Sequence, residues 1–166
     1  MRSFQLLVLL LLLFWSAGCS AQTHRQRKST VLSGQYQPEQ VKAQSGLEWF
    51  GNGVATYAPD KKVIEQLRQS WTPAHSAVIV AGSWCPDTHR DLPSYYKALQ
   101  AAGIPESSQS LWFVDRRFRK ADGISKQYQV TSVPTFVVLK EGKEVGRFAG
   151  RPGIKVESEL LRVLQK

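Results

Sequence analysis

The sequence predicts an α/β fold of one domain with four strands. Three stretches, Ala77–Ala81, Leu111–Val114 and Thr135–Leu139, are continuous apolar runs rich in β-branched or aromatic residues. Such runs suit strands buried on both faces. Between and around them apolar residues recur at helical spacing. The 166 residues suffice for a single domain.

From Pro59 onward each element has its own signal. Pro59-Asp60 starts a helix with Asp60 as N-cap, and Val63, Ile64, Leu67 and Trp71 follow on one face until Pro73 stops it. After the first strand, a helix carries Leu92, Tyr95, Tyr96 and Leu99 and ends at Gly103, with Pro93 inside it expected to bend it. Ile124 and Tyr128 mark a short helix for which Asp122 is a candidate cap. The third strand leads through Glu141-Gly142-Lys143, a tight turn, into a fourth over Val145–Phe148. Pro152-Gly153 breaks the chain, and Val156, Leu160, Val163 and Leu164 form the apolar face of a last helix.

The N-terminal part reads differently. Met1-Arg2-Ser3 precedes an apolar run from Phe4 to Trp15 broken only by Gln5, and Ser16-Ala17-Gly18 follows. This is the pattern of a secretory signal over 1–18, too short for a comfortable membrane span. Residues 19–45 are rich in Gln, Ser, Thr and basic groups and are expected to form a mobile basic linker. The domain is placed at 46–166. Its first part, Gly46–Tyr57, combines Trp49, Phe50 and Tyr57 with glycines and is expected to pack irregularly.

The formal net charge is +9, and loss of the signal removes only Arg2. A basic surface suits acidic partners or anionic lipid headgroups; for an exported chain nucleic acid is not expected. The sequence has neither a phosphate-binding glycine loop nor a His, Cys and carboxylate cluster of metal-ligand spacing, so neither cofactor nor metal is expected.

The chemistry concentrates at Trp84-Cys85-Pro86-Asp87-Thr88. Cys85 follows a buried strand and opens a helix, where N–H groups and the helix dipole favour a thiolate. Three positions on, where a second sulfur would complete a dithiol, stands Thr88, whose hydroxyl is expected to donate to the thiolate. His89 and Arg90 add positive charge and Asp87 opposes it. Trp84 is expected to shield one side and offer apolar surface to a partner.

The order of elements resembles the thioredoxin fold, a central mixed sheet flanked by helices. Trp84-Cys85 is similar to the aromatic-cysteine start of the thioredoxin active site. Pro93, eight residues after the cysteine, is similar to the proline of its active-site helix, and Val133-Pro134-Thr135 resembles its cis-proline turn. The resemblance runs from about Asp60 to Lys166. Trp-Cys-Pro-Asp with the later Val114-Asp115-Arg116 resembles an exported bacterial subgroup in which the second cysteine is often replaced. It implies a nucleophilic Cys85, a supporting role for Trp84, Thr88 and Pro134, and a substrate surface of Trp84, Pro86, Val133 and Pro134. A cis peptide before Pro134 would leave the Val133 backbone to pair with an extended segment. There are departures. Thr88 cannot resolve a mixed disulfide, and Ile79 stands where the family usually holds a buried acid.

Ala17-Gly18-Cys19 resembles a lipoprotein cleavage box, although Ser16 replaces the usual leucine-like residue. It implies a lipidated Cys19 on a bacterial membrane facing the periplasm or exterior; cleavage after Ala21 is the alternative. Either event leaves Cys85 as the one free thiol. The expected protein is a monomeric, monothiol thioredoxin-like protein of the cell envelope. It would exchange thiols and disulfides with protein partners, with a low-molecular-weight thiol as a candidate second reactant. The rival expectation is a redox-inactive module that binds peptides in the same groove.

Overall fold

The computed structural model describes residues 30–118 and 123–166. The expected signal, Cys19, the basic segment near Arg25 and the candidate cap Asp122 lie outside the described residues. In chain order the elements begin with strand β1 (Gly34–Tyr36) and helices α1 (Pro38–Lys42), α2 (Glu48–Thr56) and α3 (Lys61–Ser70). Strand β2 (His75–Ala81), helix α4 (Pro86–Ala102), a 3₁₀ turn (Glu106–Ser108) and strand β3 (Gln109–Phe113) follow. The chain then forms α5 (Ile124–Gln127), the pair β4 (Thr135–Lys140) and β5 (Lys143–Ala149), and α6 (Val156–Leu164).

The five strands make one mixed sheet in the order β1-β3-β2-β4-β5. β2 and β3 run parallel, joined through α4, with Ile79 opposite Leu111 and Ala81 opposite Phe113. β4 runs antiparallel to β2, Ile79 facing Phe136. β5 returns beside β4 through Glu141 and Gly142, at φ 52° and 76°. Two successive left-handed residues match the strand twist in a tight hairpin. This is a thioredoxin-like arrangement, with one strand more than the four expected.

The extra strand corrects the expected linker. Residues 34–36 pair antiparallel with β3, Gly34 with Phe113 and Tyr36 with Leu111. Leu32 and Val41 are buried in the core. The Tyr36 ring meets the Phe113 ring edge-on at 5.7 Å. A polar stretch is thus ordered by edge pairing and a few apolar anchors, which composition does not reveal. Gly46–Tyr57 is likewise not irregular. It contains α2, which buries Phe50 and Val54 one turn apart. Gly53 lets α2 approach α4, since a Cβ there would lie 2.6 Å from Pro93 Cβ. α4 runs through Pro93 without ending.

Strand alternation divides the core. Ala77, Ile79, Ala81, Phe136 and Val138 face α2, α3, α4 and α6. Val78, Val80, Val137 and Leu139 face a smaller cluster with Val114, Ile124 and Val130. Local signals set most boundaries. Asp60 Oδ1 caps α3 by accepting from Lys62 N at 2.9 Å, and Gly103 closes α4 at φ 70°. No helix among the described residues is long and apolar enough to cross a membrane. Nor does any group of three or more His, Cys, Asp or Glu among them converge as a metal site.

Candidate active site

The site lies at one end of the sheet, where β2 and β3 finish and β4 begins. Cys85 is the N-cap of α4, with extended backbone (φ −95°, ψ 123°), and Pro86 takes the first turn, where a missing N–H costs nothing. The Val133–Pro134 peptide is cis. Cys85 Sγ donates to Val133 O across 3.3 Å. The structure thus brings Cys85, Val133 and Pro134 together. Cys85 is only 8 % exposed, because this turn covers the sulfur. Pro134 is buried, Val133 half-buried and Pro86 exposed.

The structure gives Thr88 and Trp84 contacts that the sequence did not indicate. Thr88 is fully buried, and its Oγ1 accepts from Gly82 N at 3.2 Å. The hydroxyl braces the loop before the cysteine and does not hydrogen-bond to the sulfur. Trp84 is not a free apolar platform. Its indole lies against Gly82, where a Cβ would come within 2.8 Å of the ring. Its N–H donates to Val114 O at 3.0 Å. The Arg116 guanidinium covers it at 4.7 Å from the ring centroid. The surface beside the cysteine is therefore partly cationic.

The N-terminal segment holds the same loop. Leu32 N donates to Ser83 Oγ at 2.9 Å, and Ser83 Oγ donates to Thr30 O at 2.8 Å. His89 stacks on Trp49 with ring centroids 4.2 Å apart, and its Nε2 lies 2.6 Å from Ser83 O. The ring joins α2 to the active-site loop.

Asp91 escaped the sequence reading. It is buried, and Arg90 grips it with Nε and Nη2 at 2.6 and 2.8 Å. Arg90 Nη1 also reaches Asp87 at 2.7 Å. A Cβ on Gly150 would collide with Asp91 Oδ2 and Pro134, so the carboxyl packs under the proline turn. Burial pushes its pKa up, and the Arg90 hydrogen bonds and charge oppose that push only in part. The signal was present in the sequence: Asp91 falls three residues after Thr88 and four before Tyr95, on the face that carries the core.

No family model matches the chain, and no curated protein matches it in sequence. Similar solved structures include a Pseudomonas aeruginosa protein of unknown function, 14 % identical with TM-score 0.49, covering 77 % of this chain and 84 % of that one. Fasciola hepatica thioredoxin is 26 % identical with TM-score 0.42, over 61 % of this chain and 86 % of that one. A thioredoxin-like protein of Edwardsiella tarda is 19 % identical with TM-score 0.42, over 64 % and 94 %.

Proposed function

We propose that this chain is a monothiol thiol–disulfide exchange protein acting through Cys85. The observation that carries the reading is the sulfur at the first turn of α4, hydrogen-bonded to the carbonyl before cis-Pro134. Cys85 loses its proton to solvent and its thiolate attacks a partner disulfide. A Cys85–partner S–S bond forms, the partner's own S–S bond breaks, and the leaving sulfur takes the electron pair and a proton. Thr88 has no sulfur to displace the adduct, so an external thiol, on a protein or a small molecule, attacks the partner's sulfur as its thiolate. A partner–thiol S–S bond forms, the Cys85–partner bond breaks, and Cys85 leaves with the electron pair and takes up a proton.

The groove offers a docking contact beside the thiol. Val133 O keeps a second lone pair while Cys85 donates to it, so it can also accept from a partner's backbone N–H. An extended segment can add along Val133 as a strand.

The reading includes export through the 1–18 signal, a lipid on Cys19, and action as a monomer in a bacterial cell envelope. Trapping tests it. Membranes holding the wild-type chain should accumulate mixed disulfides that vanish on reduction and are missing with Cys85→Ser. Absence of such adducts in wild type refutes exchange. The burial of Cys85 favours a second reading, a peptide-binding module without redox chemistry, in which Cys85→Ser retains every partner.

A further inference from the structure

The described arginines fall into two groups. Arg68, Arg90, Arg147 and Arg162 each pair with a carboxylate, respectively Glu65, Asp87 with Asp91, Glu144, and Glu159. Arg116, Arg117 and Arg151 have no carboxylate within ion-pair distance among the described residues, and all three are exposed. The sheet register places these three at one end. Val114 N bonds to Ala81 O just beyond the β2–β3 ladder, so Arg116 and Arg117 leave the sheet beside the Cys85 loop. Thr135 pairs with Ala149, and Gly150 N donates to Pro134 O at 2.9 Å, so Arg151 leaves beside the proline turn. Arg116 is fixed over Trp84, the residue before the thiol.

The acidic groups described at this end each have a hydrogen-bond or ion-pair partner. Asp87 and Asp91 share Arg90. Asp115 is half-buried and accepts from Arg117 N at 2.9 Å. Among the described residues four guanidiniums, Arg90, Arg116, Arg117 and Arg151, therefore meet three carboxylates at this end. The three without an ion-pair partner lie on the segments that follow β3 and β5 beside Cys85 and Pro134, in a chain of net charge +9. Unpaired like charges around one cleft attract an oppositely charged partner and raise its encounter rate.

We propose that the segment accepted at Cys85 is acidic: an extended peptide whose disulfide is flanked by Asp or Glu, read by Arg116 and Arg117 on one side and Arg151 on the other. This rests on the exchange reading above and names its substrate class. Cys85 attacks the peptide sulfur, the Cys85–peptide bond forms, and the displaced thiol carries away the electron pair and a proton. Arg116, Arg117 and Arg151 take no part in bond making and serve as specificity residues.

The test uses two peptides of equal length, each with one cysteine activated as its 2-thiopyridyl disulfide. One has three Glu around the cysteine and the other three Lys. Release of 2-thiopyridone by the full chain is followed, with site mapping to Cys85, and each rate is divided by that peptide's rate with 2-mercaptoethanol. The acidic peptide should react at least about fivefold faster at ionic strength near 10 mM, and the advantage should collapse at high salt, where screening shortens to a few ångströms. Arg116→Glu with Arg151→Glu should invert the preference, and the milder Arg116→Gln should weaken it in a folded protein. Equal corrected rates, or faster reaction with the basic peptide, overturn the proposal while leaving exchange at Cys85 intact. If neither peptide reacts, exchange fails. Fluorescence anisotropy of the same peptides with serine for cysteine then decides acidic recognition: tighter binding of the acidic peptide supports it, and no difference overturns it.

Discussion

Cys85 Sγ donates to Val133 O, which ties the first residue of α4's cap to the turn that opens β4. The bond and the burial that accompanies it make access to the thiol depend on size. Iodoacetamide should alkylate native Cys85, whereas a maleimide carrying a large polymer should react at least about tenfold more slowly than with the urea-unfolded chain. The slow step is local opening of the covering turn. Equal rates in folded and unfolded protein would show that the turn does not cover the sulfur.

Thr88→Cys should give the chain the dithiol cycle it lacks. The side chain sits one turn after Cys85, so a sulfur there is placed to close a ring. Gly82 N–H would lose its acceptor, at a cost of about 1 kcal/mol in stability. In insulin-disulfide reduction with a chemical reductant, wild type should stay near background. The variant should be at least about tenfold faster, a barrier change of roughly 1.4 kcal/mol. A variant that forms the internal disulfide and stays inactive would place the deficit in the groove or at Ile79.

Gly53→Ala should destabilise the fold by about 1–3 kcal/mol, because the methyl group overlaps Pro93 on α4. Gly51 on the same helix faces open space. Gly51→Ala should therefore stabilise by about 0.5–1 kcal/mol, through helix propensity alone. Urea unfolding of both variants checks the pair. A neutral Gly53→Ala would mean that α2 can slide on α4.

Asp91 gives a pH dependence of defined sign. Burial raises its folded pKa above the unfolded value near 3.9. At lower pH both states hold the proton and nothing is lost. As pH rises, the unfolded chain releases its proton first, so folding stability falls until the folded carboxyl ionises too. The stability of wild type minus that of Asp91→Asn should thus decline from about pH 4 upward. Asp60 shifts in the opposite direction, chiefly through backbone hydrogen bonds from Val63 and Lys62; it is common to both proteins and cancels. Urea midpoints across pH 3–7 would show a flat difference if burial did not govern Asp91.

What could be read from the sequence was local chemistry. Asp60 caps α3, Gly103 closes α4, Glu141-Gly142 turns the hairpin, and the apolar runs became β2, β3 and β4. Each depends on neighbours within a few residues. β1 was hidden because Gly34-Gln35-Tyr36 gains its conformation from pairing with β3, more than 70 residues away. α2 was hidden because Gly51 and Gly53 argue against a helix until Pro93 appears across from Gly53. At the site, Cys85 and Pro134 stand together as the motif implied. The folding of Trp84 over Gly82, the guanidinium above it and the burial of Thr88 depend on contacts between distant segments, which residue spacing does not encode.

Ser83 tests the newly found N-terminal packing. Ser83→Ala removes the acceptor for Leu32 N and the donor to Thr30 O, which should cost about 1–2 kcal/mol. Hydrogen exchange at Leu32 should accelerate while that at the core of β2 is less affected. Unchanged protection at Leu32 would show that β1 alone holds the segment.

The decisive measurement is site-mapped mass spectrometry of the full chain after brief exposure to a peptide disulfide. A monothiol exchanger should carry one peptide on Cys85, retain it after the peptide is diluted away, and release it only to an added thiol. Should Cys85 stay unmodified in the native chain while the urea-unfolded chain is labelled, its sulfur is structural and exchange is not its function.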